Sequence, residues 1–387
     1  MKRHILFSAS LFHALNDAAT VTIPMIFPIL YSQKNIITRY SHIGILSTLG
    51  LLVTLVSQTY IAQKDSRIEF QYVIFFSITG MAVSAILLSL SASFISLLLI
   101  YVLFRFFTSF YHPVGISWVS KTYSGKKLDF AMGIQTGSGD LGVLIAFVSA
   151  GYLAQRFDWK TPLYAYGAAA LVLGTAAFIA ARLADTKQER RKTRLSCWKD
   201  TYKTIRFYVP GLVFGGACWA TTVYYAPSLL HHHFSVPMGF TGISLALWIG
   251  AGTAVTYVFG TLSRIFGRHN IMLAGLVGAT LSLLFLGFST THSAATISLF
   301  FFGVFLFLVY PAIQTYVGHK TPKRNQTLAF SIIANVQMLS GSVSGLICGV
   351  LSDLFGIQTP FIFLFLSGTA VSAFYLCKRK LLLSEIH

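Results

Sequence analysis

The sequence predicts an all-α membrane protein of twelve transmembrane helices arranged as two parallel six-helix repeats. Of its 387 residues, 55% are hydrophobic and only 10% charged, with a mean hydropathy of +0.69, whereas soluble domains run near 25% charged. Apolar windows of roughly the 20 residues a bilayer requires recur in two sets of six about one polar segment. The chain also repeats at a shift of 198 residues, which lays Gly151–Pro162 on Gly349–Pro360 with Gly, Leu, Phe, Thr and Pro identical. The same shift pairs Gly44 with Gly242, Pro113 with Pro311 and Ala131 with Ala329. Parallel six-span repeats place a binding site at their interface, near the bilayer midplane.

In order, the windows fall at 5–31, 42–62, 70–92, 94–119, 129–154 and 160–183, then at 207–230, 239–261, 270–290, 293–318, 327–354 and 358–377. The expected domains are a bundle over 1–183, a cytoplasmic basic linker over 184–206 and a second bundle over 207–387. The opening MKRH followed by an apolar run looks superficially like a signal peptide. That run, however, contains Asp17, Pro24 and Pro28 and lacks a small-x-small cleavage site, so it is read as a retained first span. An even number of spans puts both termini on one side. With both in the cytoplasm of a prokaryotic inner membrane, only Lys34, Arg39, Arg156 and Lys160 lie outside and Arg105 in the membrane; the rest of the 29 Lys and Arg lie inside. This topology accounts for the net charge of +18 without nucleic acid and leaves the linker to touch anionic headgroups. Cys197 lies in a polar stretch, Cys218 and Cys348 inside apolar runs and Cys377 at the end of one, which gives no disulfide framework.

The fourth window holds an unexpected cation. Arg105 near its middle costs about 2.5–3.5 kcal/mol on insertion scales, so a partner or a wet cavity is expected. Thr108, Ser109 and His112 follow at +3, +4 and +7 on the same helical face, and Pro113 then favours a kink. In the first window His13, Asn16, Asp17, Thr20 and Pro24 form a polar stripe. Asp17, Arg105 and Asp140 share one depth. They are expected to form a buried network in which Arg105 pairs with Asp17 or Asp140 and one carboxylate exchanges a proton, with His112 as a second protonatable group. The same residues also fit a static pair that fixes helix packing. His13, Asn16, Thr20 and Ser109 are the expected polar lining of a substrate cavity in this half.

The second half has no central Lys, Arg, Asp or Glu in its windows. Its polar groups are Trp219, Tyr224 and Tyr225, then Tyr310 and Gln314 at i and i+4, then Asn335 and Gln337. Tyr224, Tyr225, Gln314 and Asn335 are the expected substrate-orienting wall, and the competing role for each is helix packing. Asp353 belongs to the repeated helix exit.

On these residues the chain resembles a major facilitator superfamily transporter over essentially its whole length. GYLAQRFDWKTPLY resembles the family's usual exit from the fifth helix. Gly260-Thr-Leu-Ser-Arg-Ile-Phe-Gly-Arg-His269 resembles its G-x-x-x-D-R-x-G-R-R loop, keeping Gly260, Gly267 and Arg268 but placing Arg264 where the acid belongs. The equivalent earlier loop keeps Asp65 and lacks the glycines. The resemblance implies that these loops gate the cytoplasmic side, and that the departures alter that gate. His112-Pro113-Val-Gly115 with AMGIQTGSGDLG at 131–142 is most similar to the fosmidomycin-resistance type of efflux protein, although the Gly-Pro signature of many drug–proton antiporters is absent.

Other chemistries find little support. Gly137-Ser-Gly-Asp-Leu-Gly142 fits G-x-G-x-x-G but lies inside a span with no strand before it, so its glycines read as close helix packing. His231, His232 and His233 point in different directions on a helix, and no metal or cofactor is expected. No Walker loop is present, and Glu at 69, 189 and 385 alone leaves no H-E-x-x-H motif. The expectation is a non-enzymatic secondary transporter, a monomer exporting a small anionic or zwitterionic compound against protons by alternating access. Import of an organic acid is the alternative within the fold, and an intramembrane enzyme or a transport-dead receptor the alternatives outside it.

Overall fold

A computed structural model of the chain describes residues 2–32, 36–64, 69–123, 126–182, 198–321 and 326–378. Helices dominate the described residues, and no strand occurs among them. The first half comprises α1 (Lys2–Ser32), α2 (Tyr40–Lys64), α3 (Phe70–Leu88), α4 (Phe94–Thr108), α5 (Tyr111–Thr122), α6 (Lys126–Arg156) and α7 (Lys160–Arg182). The second comprises a short α8 (Trp198–Ile205), then α9 (Val209–Ser228), α10 (Met238–Phe266), α11 (Arg268–Gly287), α12 (His292–Lys320), α13 (Gln326–Phe355) and α14 (Thr359–Cys377).

Local chemistry sets the boundaries. Ser93 and Ser96 form a reciprocal capping box at the start of α4, and the Thr291 hydroxyl accepts from the Ala294 amide at the start of α12. Gly267, at φ 81°, turns the chain into α11, and Gly356, at φ 94°, ends α13; both angles favour glycine.

Eleven stretches among the described residues are long and apolar enough to cross a membrane. Ten are single helices, and the eleventh, 94–122, joins α4 to α5. The remaining expected span is α9, which has 20 residues but is not one of the eleven. Trp219, Thr221, Thr222, Tyr224, Tyr225 and Ser228 make it more polar, and most of its side chains are buried as it packs on α13 and α14. The architecture is the all-helical two-repeat membrane fold that the sequence predicts.

The chain forms two compact units. The first is Met1–His42, Leu49–Thr193 and Pro237–Ala246, and the second is Ile43–Thr48, Arg194–Val236 and Leu247–His387. In the first, α1 lies along α6 and α7, and α3 along α7 and α4. The approach of α1 to α6 needs Gly142, because a Cβ there would strike the Ala14 carbonyl. In the second, α11 lies along α12 and α14, and α9 along α13.

The start of α2 belongs to the second unit, where the Thr48 hydroxyl donates to the Ser342 carbonyl (2.8 Å) and the Ser342 hydroxyl to the Thr48 carbonyl (3.2 Å). Gly44 there backs onto the Gly345 carbonyl. The start of α10 belongs to the first unit, where Gly242 backs onto the Phe147 carbonyl. A shift of 198 carries Gly44 to Gly242 and Phe147 to Gly345, so the repeat reproduces a backbone contact as well as a residue pattern.

Candidate functional site

The polar stripe of α1 and the break between α4 and α5 meet inside the first unit. Pro113 has no amide to give the Ser109 carbonyl, and its ring crowds that carbonyl, so α4 stops at Thr108 and the helix restarts at Tyr111. Shorter-range bonds close the gap, with the Ser109 amide and hydroxyl both donating to the Phe106 carbonyl and the Thr108 hydroxyl to that of Arg105. The hydroxyl of Ser109, an expected cavity residue, is thus engaged on its own helix.

The restarted helix brings Tyr111 and His112 to α1. Asp17 lies between two imidazoles, with Oδ2 3.1 Å from His13 Nε2 and Oδ1 3.3 Å from His112 Nε2. Asn16 Nδ2 donates to Asp17 Oδ1 (3.0 Å), and the Thr20 hydroxyl donates to the Asn16 carbonyl (2.9 Å). The Tyr111 ring stacks on His13 at 4.8 Å and 25°, while His112 meets His13 edge-on at 5.2 Å and 86°. The Tyr111 hydroxyl donates to the Ala9 carbonyl (2.6 Å) and accepts from Gln135 Nε2 (3.0 Å).

Helix α6 closes the cluster with Gln135 and Gly139, one turn apart. The Gln135 carbonyl lies 2.7 Å from His13 Nδ1, and since a carbonyl only accepts, Nδ1 carries the hydrogen. Neutral His13 therefore turns a lone pair toward a carboxylate oxygen. A proton or another cation must lie between Nε2 and Oδ2. Gly139 leaves room for this, because a Cβ there would fall 2.7 Å from His13 Cε1, 2.8 Å from its Nε2 and 2.9 Å from Asp17 Oδ2. Asp140 is half-buried and acts electrostatically on His13.

The expected Arg105–Asp17 pair is not what the structure holds, since the ion-pair partners of Asp17 are His13 and His112. The break explains the difference: His112 rides on α5 toward α1, whereas Arg105 stays on α4 and lies over Gly50 of α2, whose Cβ would come 3.0 Å from its Cγ. Arg105 is 5% exposed, its Nε is buried without a hydrogen-bond partner, and it makes no ion pair among the described residues. Asn16 Oδ1 is likewise a buried acceptor without a partner. The first unit thus holds an unsatisfied donor and an unsatisfied acceptor beside the His13–Asp17–His112 cluster.

The second unit differs. Tyr224 is buried, the Tyr225 hydroxyl donates to the Gly345 carbonyl (2.6 Å), Tyr310 hydrogen-bonds Gln314, and Asn335 is half-buried on α13. Of the loop residues, Asp65 lies outside the described residues. Gly267 has its positive φ, Gly260 has open space where a Cβ would stand, and Arg268 opens α11 with its Nε buried and unpartnered. His231 bonds the Val236 carbonyl through Nδ1 (2.8 Å). Among the described residues the group able to offer three metal donors is His13, Asp17 and His112.

The family model of the Major Facilitator Superfamily matches residues 6–345. The chain belongs to the major facilitator superfamily. It is an MFS transporter, and so not an enzyme. An uncharacterised MFS-type transporter of Methanocaldococcus jannaschii is 27% identical over 134 residues, 34% of this chain and 35% of the relative, so the match spans about a third of each. A bacterial homologue of the human lysosomal transporter Spinster superposes with a TM-score of 0.82 over 97% of this chain and 96% of its own, at 15% identity. The nucleoside transporter NupG gives 0.76 over 96% of this chain and 98% of its own, at 13% identity. These two likenesses show the fold of this MFS chain alone.

Tyr111, Gln135 and Gly139 are the site residues that sequence reasoning missed. Tyr111 has no reading of its own in the sequence, Gln135 enters only within the AMGIQTGSGDLG resemblance, and Gly139 and Gly142 read as helix packing. Their spacing of four and three places them on one face of α6, which is the signal that was there to use.

Proposed function

We propose that this chain is a proton-coupled secondary transporter that exports a small anionic or zwitterionic compound by alternating access. The observation that carries the reading is Arg105, a buried guanidinium on an interrupted membrane helix, with no carboxylate partner among the described residues. A charge held this way in a membrane protein marks a ligand or ion pathway by default, and an interrupted helix is a recurrent way of building a transporter site. An anionic group of the substrate satisfies Arg105, and the partnerless oxygen of Asn16 accepts from a donor group on the substrate. Proton coupling is assigned to the Asp17 cluster, where the hydrogen bond from His13 to Gln135 requires a shared proton in the absence of another cation. The His112-Pro113-Val-Gly115 resemblance supports export, and the distribution of Lys and Arg supports a prokaryotic inner membrane with cytoplasmic termini.

The test is substrate flux in proteoliposomes of known orientation under an imposed pH gradient. Substrate movement opposite to protons, accompanied by a substrate-dependent pH change in the lumen, is the expected result. Co-movement would reverse the direction to import, and flux indifferent to the gradient would sink the proton coupling.

A further inference from the structure

We propose that His13, Asp17 and His112 form a binding site for a divalent transition-metal ion of the zinc class. The proposal rests on the arrangement of three side chains and does not need the transport reading; a metal ion and the coupling proton compete for the same His13 Nε2 and Asp17 Oδ2, so a bound ion displaces that proton. Their donor atoms all lie within 4.8 Å of one another, with Asp17 oxygens 3.1 Å from His13 Nε2 and 3.3 Å from His112 Nε2. Zinc bonds of about 2.0–2.1 Å in a tetrahedron set neighbouring donors about 3.3 Å apart, and each imidazole already stands about that far from one carboxylate oxygen, His13 from Oδ2 and His112 from Oδ1, so Asp17 would hold the ion with both oxygens or turn to offer one. The edge between the histidines closes by a small movement of His112, whose side chain is 37% exposed and stands just past the break in its span.

Three further features favour a metal ion over an ion pair alone. Two Nε2 atoms converge on the two oxygens of a single carboxylate, which gathers three donor groups around one point. His13 Nδ1 donates to the Gln135 carbonyl, which fixes the tautomer that aims Nε2 into the cluster, and metal-ligating histidines are usually held by such an outer partner. Gly139 keeps open the side that any Cβ would fill, 2.8 Å from Nε2 and 2.9 Å from Oδ2. Two imidazoles and one carboxylate suit zinc, cobalt or nickel, whereas magnesium and calcium favour all-oxygen shells. Asp17, with Asp140 acting on His13, offsets the positive charge.

The experiment titrates Co²⁺ into the purified full-length protein, follows the visible absorption of a low-coordinate cobalt site, and then displaces the cobalt with Zn²⁺. One cobalt per chain is expected, with Zn²⁺ raising the melting temperature. His112→Asn removes a half-exposed donor and should weaken affinity at least tenfold while leaving the metal-free melting temperature within a few degrees. Gly139→Leu, which fills the space but keeps every donor, should abolish the cobalt spectrum. Replacing His231, His232 and His233 together by Asn should change nothing. Absence of the spectrum, its persistence in both His112→Asn and Gly139→Leu, or its loss in the 231–233 variant would each overturn the site. A protein that carries substrate yet binds no cobalt would overturn this proposal and leave the transport reading standing.

Discussion

The repeat sets up one helix crossing twice and fills it in opposite ways. In the first unit Gly50 of α2 faces Tyr101 and Arg105 of α4, and a Cβ on Gly50 would come within 2.8 Å of Tyr101. A shift of 198 residues turns Gly50 into Trp248 on α10 and Arg105 into Gly303 on α12, and there a Cβ on Gly303 would strike the Trp248 carbonyl. The bulk has changed sides. The second unit seals its crossing with a fully buried indole, while the first uses a glycine to admit a guanidinium. The second unit fills its crossing without a cation; what Arg105 adds to the first is charge. The same contrast runs through the units, with Asp17, His13 and His112 converging in one and hydroxyls, amides and aromatics occupying the other.

Asp17→Asn should produce the largest effect. It removes the one carboxylate that both imidazoles face and with it the negative charge of the cluster. Breaking a buried pair costs about 3–5 kcal/mol of stability, so the melting temperature should fall. Initial rates of coupled flux should fall by at least about a hundredfold, because no carboxylate is left to exchange the proton. A rate within twofold of wild type would erase the division of labour between the units.

The next effect comes from moving the second unit's solution into the first. Arg105→Gly with Gly50→Trp copies the Trp248–Gly303 pair, so the double variant should fold. Replacing a buried charge by apolar packing is often neutral, or stabilising by about 1–4 kcal/mol, and the melting temperature should hold or rise. Flux of an anionic substrate should drop by about 10- to 100-fold, the loss of a charge-assisted contact worth roughly 1.5–3 kcal/mol. If the double variant folds and transports normally, Arg105 is not the anion contact. Gly50→Trp alone keeps the guanidinium and overfills the crossing, so it should lower stability by about 1–3 kcal/mol.

A smaller effect is expected at Gly139→Ala. Its Cβ would press on side-chain atoms of His13 and Asp17, which can yield, while alanine favours the helix over glycine by about 1 kcal/mol. Stability should stay within about 1 kcal/mol of wild type, with flux reduced about tenfold because the His13–Asp17 distance opens. Measured together, melting temperature and flux separate this from simple overpacking, which would lower both.

Much of this was legible in the sequence because bilayer physics leaves few choices. A run of about 20 apolar residues must be helical, so the spans follow from hydropathy and the repeat from the spacing of Gly, Thr and Pro. Span seven was found by length, but its polarity marks α9 as a helix buried within its unit. The stripe of His13, Asn16, Asp17 and Thr20 follows from helical periodicity. The partner of Asp17 did not follow, because opposite charges at one depth suggest pairing, while the turn at Pro113 decides which side chain arrives. A kink is readable from a proline. The direction in which it sends Tyr111 and His112 is a three-dimensional outcome of α5 packing on α1 and α6.

Tyr225→Phe tests the neutral side of the comparison and should have the smallest effect. The hydroxyl donates to the Gly345 carbonyl at 2.6 Å, on the segment of α13 against which Gly44 packs. A mid-helix carbonyl keeps the amide four residues on, so removing the hydroxyl orphans no acceptor. The phenyl ring fills the same space, and the tyrosine is already fully buried, so no water gains entry. Side-chain hydrogen bonds between membrane helices average about 0.6 kcal/mol, with a maximum near 1.7. For a chain of this length that is a fall in melting temperature on the order of 1–2 °C. Flux should remain within twofold. A tenfold loss of flux at unchanged melting temperature would place the Tyr225 hydroxyl on the substrate, and recognition would then be shared by both units instead of concentrated around Arg105 and Asp17.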